Sequence, residues 1–310
     1  MNLFQDIMLN TGVAAGDLTR LINSAPARYK TYFIPKKTGG SRLIAHPSRE
    51  LKVLQRFILD EYLSYFPIHD SATAYKKGTS IYQNAMAHAQ SRAIMKFDFE
   101  SFFPSLKPRD WNRYLAKLAS PELPTDFGLI TTYLLFWGEK SREPRSLSIG
   151  APTSPTVSNI LMYDLDSAIA EAASTVGITY TRYADDITLS GESTSKLERF
   201  ERHLRSLVRK TTSPNLLFNE KKRGIYHRGT RRIVTGLVLT PDEHVSIGRD
   251  RKRLISAMIY RFKLGKLSPE EAQSLKGWIA FAIANESTFV TSMRHKYGSS
   301  MIDEILALSV

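Results

Sequence analysis

Two β-branched runs, Ile178-Thr179-Tyr180-Thr181 and Ile187-Thr188-Leu189, stand on either side of a short polar turn that ends in Asp185-Asp186. Strands this close in sequence pair with each other only as a hairpin, because a parallel pairing needs a crossover of roughly a dozen residues. The chain must therefore build an antiparallel element with two adjacent carboxylates at its exposed tip. Adjacent like charges cost energy unless a cation or a basic group sits beside them. Oxygen-only ligands suit Mg²⁺, which binds through a few carboxylates and substrate phosphates. Asp is also a common turn residue, so the pair acquires meaning only from its surroundings.

Asp98 supplies that context. Ala93-Ile94-Met95-Lys96-Phe97 is a mostly apolar run suited to a buried strand, and it leads directly into Asp98. A carboxylate leaving a core strand can reach the hairpin tip. Three such carboxylates can hold two Mg²⁺ ions in the arrangement that serves in-line displacement at phosphorus, one activating a hydroxyl and one steadying a triphosphate. The charge balance agrees with a polyanionic partner: 43 Lys+Arg against 30 Asp+Glu give a formal net charge of +13. Charge used only for solubility is the plainer alternative.

Other chemistries find little support. The chain has no cysteine, which excludes a disulfide framework, Cys-containing zinc sites and thiol catalysis. It also lacks a Gly-x-x-x-x-Gly-Lys-Ser/Thr loop, a His-Glu-x-x-His pair and a Gly-x-Ser-x-Gly elbow. The first residues include Asp6 and Asp17 and do not read as a signal peptide. The apolar runs, such as Tyr133–Trp137, fall far short of the ~20 residues needed to span a membrane. A soluble cytoplasmic protein with no membrane partner is expected.

Around the carboxylates, Tyr32-Phe33-Ile34-Pro35 and Arg42-Leu43-Ile44 flank a basic, glycine-containing tip and predict a second hairpin. Apolar positions at helical spacing predict helices over Leu51–Leu59, through Leu161, Leu165, Ala168, Ile169 and Ala172, and through Ile255, Met258, Ile259 and Phe262. The last of these carries Arg251, Lys252, Arg253, Arg261 and Lys263 nearby, as in a basic helical subdomain.

At this point the sequence resembles the reverse transcriptases, and among them the bacterial retron enzymes. Tyr183-Ala184-Asp185-Asp186 is similar to the family's palm hairpin motif, and Phe97-Asp98-Phe99-Glu100-Ser101-Phe102-Phe103-Pro104-Ser105 to its first catalytic motif. Gly150-Ala151-Pro152-Thr153-Ser154-Pro155, with Asn159 soon after, resembles the Gly-x-x-x-Ser-Pro motif, and Asn219-Glu220-Lys221-Lys222 the lysine motif. Asn84-Ala85-Met86-Ala87-His88 and Val234-Thr235-Gly236 fit two patterns associated with retrons, which favours that class over group II intron and diversity-generating relatives. Many relatives carry Gln immediately before the glycine of the Ser-Pro motif, whereas this chain has Ile149. An apolar residue cannot donate an amide contact there.

The resemblance implies an α+β right-handed polymerase fold with fingers, palm and thumb. Its implied subdivision is fingers over 1–95, the first catalytic strand of the palm over 96–111, a helical insertion over 112–148, palm over 149–239 and a basic helical thumb over 240–310. It implies an RNA-directed DNA polymerase using two Mg²⁺ ions, with Mn²⁺ as a substitute. Asp98, Asp185, Asp186 and the Phe99 backbone are the implied metal ligands. Arg42, Lys36, Phe103, Gly150, Ala151, Pro152 and Lys222 are the expected nucleotide contacts, Phe103 as a steric gate against the ribose 2′-hydroxyl. Asn84, His88, Thr235, Gly236, Arg249, Arg251, Lys252 and Arg253 are the expected RNA contacts. The partners so implied are dNTPs, a cognate structured noncoding RNA serving as template and primer, its DNA product and separate effector proteins of a phage-defence system. Synthesis is expected to start from a guanosine 2′-hydroxyl and to give branched RNA–DNA. Two other readings stay open: an RNA-binding scaffold that regulates an effector, and a related group II intron-like or template-independent DNA polymerase.

Overall fold

The computed structural model describes residues 2–35 and 39–308. Among the described residues, nine strands form three sheets. β1 (Tyr29–Pro35) and β2 (Ser41–Pro47) make an antiparallel ribbon, with Phe33 opposite Leu43 and Ile34 opposite Arg42. β3 (Ala93–Asp98), β4 (Thr179–Tyr183), β5 (Asp186–Gly191) and β6 (Gly224–His227) form a sheet in the order β4-β5-β3-β6. β7 (Arg232–Val234), β8 (Leu237–Leu239) and β9 (Val245–Ser246) form an antiparallel meander. Helices make up most of the remaining structure, and among the described residues none is long and apolar enough to cross a membrane.

The expected elements are present with shifted edges. The helix over Leu51–Leu59 runs from Arg49 to Glu61, started by Ser48, whose hydroxyl accepts from the Leu51 N–H. The helix expected through Leu161 and Ala172 is two: Ser154–Leu161 and Tyr163–Thr175 meet at Met162. Leu161 thus belongs to the first and Leu165 and Ile169 to the buried face of the second. Apolar periodicity alone does not reveal that break, because both helices turn apolar residues inward.

The chain divides into two compact units. The first comprises Met1–Lys77, Lys96–Ile187 and Glu198–Gly224; the second comprises Gly78–Met95, Thr188–Leu197 and Ile225–Val310. Within the first, Phe97 and Phe99 are buried at the end of β3, and Phe99 stacks on both Phe102 and Phe218 at ring-centroid distances of 6.0 and 5.2 Å. Each buried ring contributes roughly 2–3 kcal/mol from the apolar surface it removes from water. They fix the strand end from which Asp98 projects.

The second unit has its own core. Ala85, Ala89 and Ile94 pack with Val234, Leu237 and Leu239 of the meander and with Ile255, Ile259, Leu275 and Ile279 of the helices Arg249–Lys263 and Pro269–Asn285. The helix Pro269–Asn285 opens on a capping box in which Ser268 and Glu271 satisfy each other's backbone N–H groups.

Candidate active site

Strand β3 delivers Asp98 to the edge of the first unit's core, where it is 4% exposed. The β4–β5 hairpin brings Asp185 and Asp186 beside it, held by the Phe99 N–H, which donates to the Asp185 carbonyl at 3.1 Å. Asp98 stands close enough to Asp186 for its charge to act on that carboxyl. The expected exposed tip is in fact half-buried: Asp186 is already the first residue of β5, so only Ala184 and Asp185 form the turn. Burial, reinforced by the charge of Asp98 and then of Asp186, pushes the Asp185 carboxyl up to about 6. Burial likewise raises Asp186, with Lys96 opposing. The site is a concentration of negative charge short of cations.

One cation comes from the chain itself. The Lys222 ammonium donates to Asp98 Oδ2, and Asn219 ties the same segment to β3 through its N–H, which donates to the Asp98 carbonyl at 2.7 Å. Arg205 braces this segment: its guanidinium lies over Phe97 and Phe218 and forks onto Glu220 at 2.6 and 2.8 Å, while Glu201 accepts from Arg205 and Arg223. Those contacts hold the Glu201 carboxyl below its ordinary range, with the Arg223 hydrogen bond the largest cause. Among the described residues, no group of three or more His, Cys, Asp or Glu is arranged as it stands to hold a metal ion. With its ammonium on Asp98, Lys222 gives the acidic cluster an internal counter-ion. The donor set still fits a hard cation, since every side-chain donor is a carboxylate oxygen.

Behind the hairpin lies a polar network that local sequence patterns do not reveal. Arg182 and Asp166 form an ion pair with both side chains at 0% exposure. Arg182 donates from Nε to Asp166 Oδ1 at 2.8 Å, from Nη2 to Asp166 Oδ2 at 2.6 Å and to Asn159 Oδ1 at 3.1 Å, and from Nη1 to the Ala184 carbonyl at 2.9 Å. Tyr180 donates its hydroxyl to Asp166 at 2.6 Å. Ala184 has φ 57°, a left-handed conformation that costs an alanine roughly 1–2 kcal/mol. Arg182 therefore grips the strained residue that aims Asp185. Asn159, the polar residue after the Ser-Pro motif, belongs to this network.

Gly150 is explained by backbone geometry. Its φ is 128°, and a Cβ there would stand 3.0 Å from the Ala45 carbonyl oxygen and 3.2 Å from Ile44. Only glycine lets β2 approach this closely. The Ile149 carbonyl accepts from the Ala45 N–H at 3.0 Å, so position 149 serves the contact through its main chain whatever its side chain is. Gly150 is exposed and Pro152 half-buried, but Ala151, expected to touch nucleotide, is 4% exposed and faces the core. Of the adjacent pair that follows in this motif, Phe102 is buried and Phe103 half-buried. Arg42 is exposed on β2; Lys36 lies outside the described residues.

The expected RNA contacts separate by burial. Asn84 and His88, at 1% and 0% exposure, have no surface for an RNA to reach. His88 Nδ1 instead meets the Ser190 hydroxyl at 2.7 Å, as a packed structural histidine does. Thr235 and Gly236, with φ 46° and 81°, form the two-residue turn between β7 and β8; the Thr235 hydroxyl donates to the Ile81 carbonyl at 3.0 Å. Arg251 donates to the Gly236 carbonyl and lies over Phe281, and Lys252 pairs with Glu286. These two are therefore committed within the protein. Arg249 and Arg253 are exposed and hold no ion pair among the described residues.

Comparison with known proteins adds a second kind of observation. A family model described as "Reverse transcriptase (RNA-dependent DNA polymerase)" matches residues 34–258. The chain is 35% identical to the retron Ec83 reverse transcriptase of Escherichia coli over 303 residues, a match that covers 97% of each. It is 32% identical to the retron Ec86 reverse transcriptase of the same organism over 313 residues, covering 98% of this chain and 93% of that one. Among solved structures, telomerase from Candida albicans in complex with a fragment of telomeric RNA superposes with a TM-score of 0.51 at 12% identity, covering 94% of this chain and 62% of that one. This chain thus spans less than two thirds of the telomerase. That likeness bears on the fold, an α+β right-handed polymerase architecture.

Proposed function

Because the chain belongs to the reverse transcriptase family, in its retron branch, we propose that its three clustered carboxylates carry out the family's reaction, RNA-directed DNA synthesis. The observation that carries this reading is the meeting of Asp98 with Asp185 and Asp186 in a half-buried site where burial and mutual repulsion raise Asp185 to about 6. Such a site is costly unless it serves to gather cations.

Asp98, Asp185 and Asp186, with the Phe99 carbonyl, would hold two Mg²⁺ ions (Mn²⁺ as a substitute), which when bound supply charge neutralisation at the reacting phosphate and acidity at the primer hydroxyl. The chain's own residues do the positioning. Arg42 offers a fork to the triphosphate of a dNTP. Lys222, already charged and tethered at Asp98, is placed to follow the negative charge that leaves with pyrophosphate. Phe103 excludes a ribose 2′-hydroxyl, and Gly150 with Pro152 lines the floor under the base. Arg249 and Arg253 neutralise RNA phosphates, and Gly236 contributes an exposed turn of the same unit. Residues 1–95 and 112–148 are assigned to the fingers, 96–111 and 149–239 to the palm and 240–310 to the thumb.

The retron membership supports a finer reading. A cognate structured RNA serves as template and primer, a guanosine 2′-hydroxyl starts synthesis, and the branched RNA–DNA product stays bound in the cytoplasm as part of a defence system with a separate effector. Sequencing the nucleic acid that copurifies with the wild-type chain and with Asp185→Asn tests this. Branched RNA–DNA on the wild type and unextended RNA on the variant are expected. Wild-type protein carrying unextended RNA alone, or extending primers without template, would exclude it.

A further inference from the structure

Tyr75 takes part in none of the motifs above, yet the first unit goes to some length to present it. It has φ 60°, a conformation that is rare for a bulky side chain and that persists only where the surroundings over-determine it. Those surroundings are explicit. Residues Ser71 to Thr73 lie along β4 as an added parallel bridge: the Arg182 N–H donates to the Ser71 carbonyl at 2.7 Å and the Thr73 N–H to the Arg182 carbonyl at 2.9 Å. The next carbonyl, that of Ala74, accepts from buried Asn159 Nδ2 at 2.8 Å. Asn159 is itself held by Arg182, and Arg182 by Asp166. One buried network therefore sets both the Asp185 turn and the residue immediately before Tyr75.

The side chain so presented is not core. Tyr75 is 49% exposed, and its ring sits 6.5 Å from that of Phe103 at an interplanar angle of 48°. Its hydroxyl lies near enough to Asp185 and Tyr183 for their charges, after burial, to raise its pKa, with Arg42 opposing. Two tilted rings thus form an open apolar wedge beside the carboxylates, with Arg42 close by.

We propose that Tyr75 is a specificity-determining residue, the second wall of the pocket that receives the sugar of the incoming deoxynucleotide. A deoxyribose laid in the wedge buries its C2′ methylene against both rings. A ribose would press its 2′-hydroxyl onto the two ring faces, which offer it no ordinary hydrogen bond, the costly case for a polar group. The left-handed backbone turns the ring out of the core and toward Phe103. This inference rests on the polymerase reading and names a residue outside the motifs quoted above.

The test is single-nucleotide primer extension with dNTP and rNTP by wild type, Tyr75→Phe, Tyr75→Ala and Tyr75→Gly, with thermal unfolding of each. Tyr75→Ala and Tyr75→Gly should raise KM for dNTP about tenfold and narrow the dNTP/rNTP preference by a similar factor, with a far smaller fall in kcat. Tyr75→Phe should restore most of the selectivity, since it keeps the ring. Glycine also relieves the backbone strain, so Tyr75→Gly should unfold at or above the wild-type temperature while still discriminating poorly. A merely structural tyrosine would not separate those two readouts. Wild-type KM and sugar preference in Tyr75→Gly would overturn the proposal even if Tyr75→Ala fails to fold. If the wild type extends primers and the variants match it, this inference alone fails. If the wild type adds no nucleotide at all, the polymerase reading fails with it.

Discussion

Replacing Arg182 by Met should be among the most damaging changes in the protein, and its cost can be worked from the contacts. Arg182 and Asp166 are both fully buried, and the guanidinium makes four hydrogen bonds, two to Asp166 and one each to Asn159 and the Ala184 carbonyl. Methionine fills the volume but donates nothing. Asp166 is then a buried carboxylate whose remaining contact is the Tyr180 hydroxyl, and removal of one partner of a buried pair costs about 3–5 kcal/mol. That is a large share of the roughly 5–15 kcal/mol that stabilises an ordinary domain. The double variant Arg182→Met/Asp166→Leu removes both charges and should recover at least about 2 kcal/mol of the summed single costs. It should not recover DNA synthesis, because the Ala184 carbonyl still lacks its donor and the Asp185 turn loses its grip. Urea unfolding followed by circular dichroism measures the cycle, and single-turnover primer extension measures the rate. A single-variant cost below about 1 kcal/mol, or singles that simply add in the double variant, would refute the reasoning.

Four other perturbations follow from the same geometry. Asp185→Asn should lower primer extension at least about a thousandfold, roughly 4 kcal/mol of barrier, yet raise the unfolding temperature in chelator. The folded Asp185 carboxyl sits at about 6, above its ordinary value of 3.8; its favourable contribution is full below about 4 and is lost as pH rises through about 6, so this stabilisation at low pH should be present in the wild type and absent in the variant, with ~3 kcal/mol as the upper bound. Gly150→Ala must place a methyl 3.0 Å from the Ala45 carbonyl at φ 128°, and should cost about 2 kcal/mol or more in unfolding free energy while raising KM for dNTP. Phe103→Ala should increase ribonucleotide incorporation in a primer-extension assay; unchanged sugar selection would remove Phe103 from the gate. Arg249→Ala and Arg253→Ala should each lower RNA affinity and reduce the salt slope by about one, with little effect on stability, whereas Arg251→Ala should mainly lower the unfolding temperature.

The parts of the site that could be read in advance are those with a local signature. The β4–β5 hairpin follows from two β-branched runs too close to pair otherwise, and Asp98 from an apolar strand ending in a carboxylate. The glycine of Gly150–Pro155 could be recognised, but its reason, the approach of Ala45, lies a hundred residues away in the chain. Arg182 and Asp166 carry no local signature for the same reason: nothing near either says that it is buried or which partner it meets, and Asn159, legible beside the Ser-Pro motif, gives no sign that it joins them. Burial also decided what Asn84 and His88 do, and no pattern separates a packed histidine from a contacting one. Likewise Arg251 and Lys252 look the same in sequence as Arg249 and Arg253, and only their hydrogen-bond partners tell them apart. Tyr75 was missed because a left-handed tyrosine follows no propensity rule; tertiary contacts impose it.

The way the second unit is assembled bears on how the protein can be cut. Its core joins Ala85, Ala89 and Ile94 to apolar residues beyond Val234, so its segments are interleaved with those of the first unit along the chain. A truncation after Gly224 would therefore not excise a module. It would bare the inner face of the helix Ile81–Met86 and leave His88 and Ser190 without the core that packs around them. Swapping the basic C-terminal helices between relatives calls for transplanting residues 78–95 and 188–197 with them. The chain inherits its basic C-terminal helices and the segments 78–95 and 188–197 as one indivisible unit of exchange.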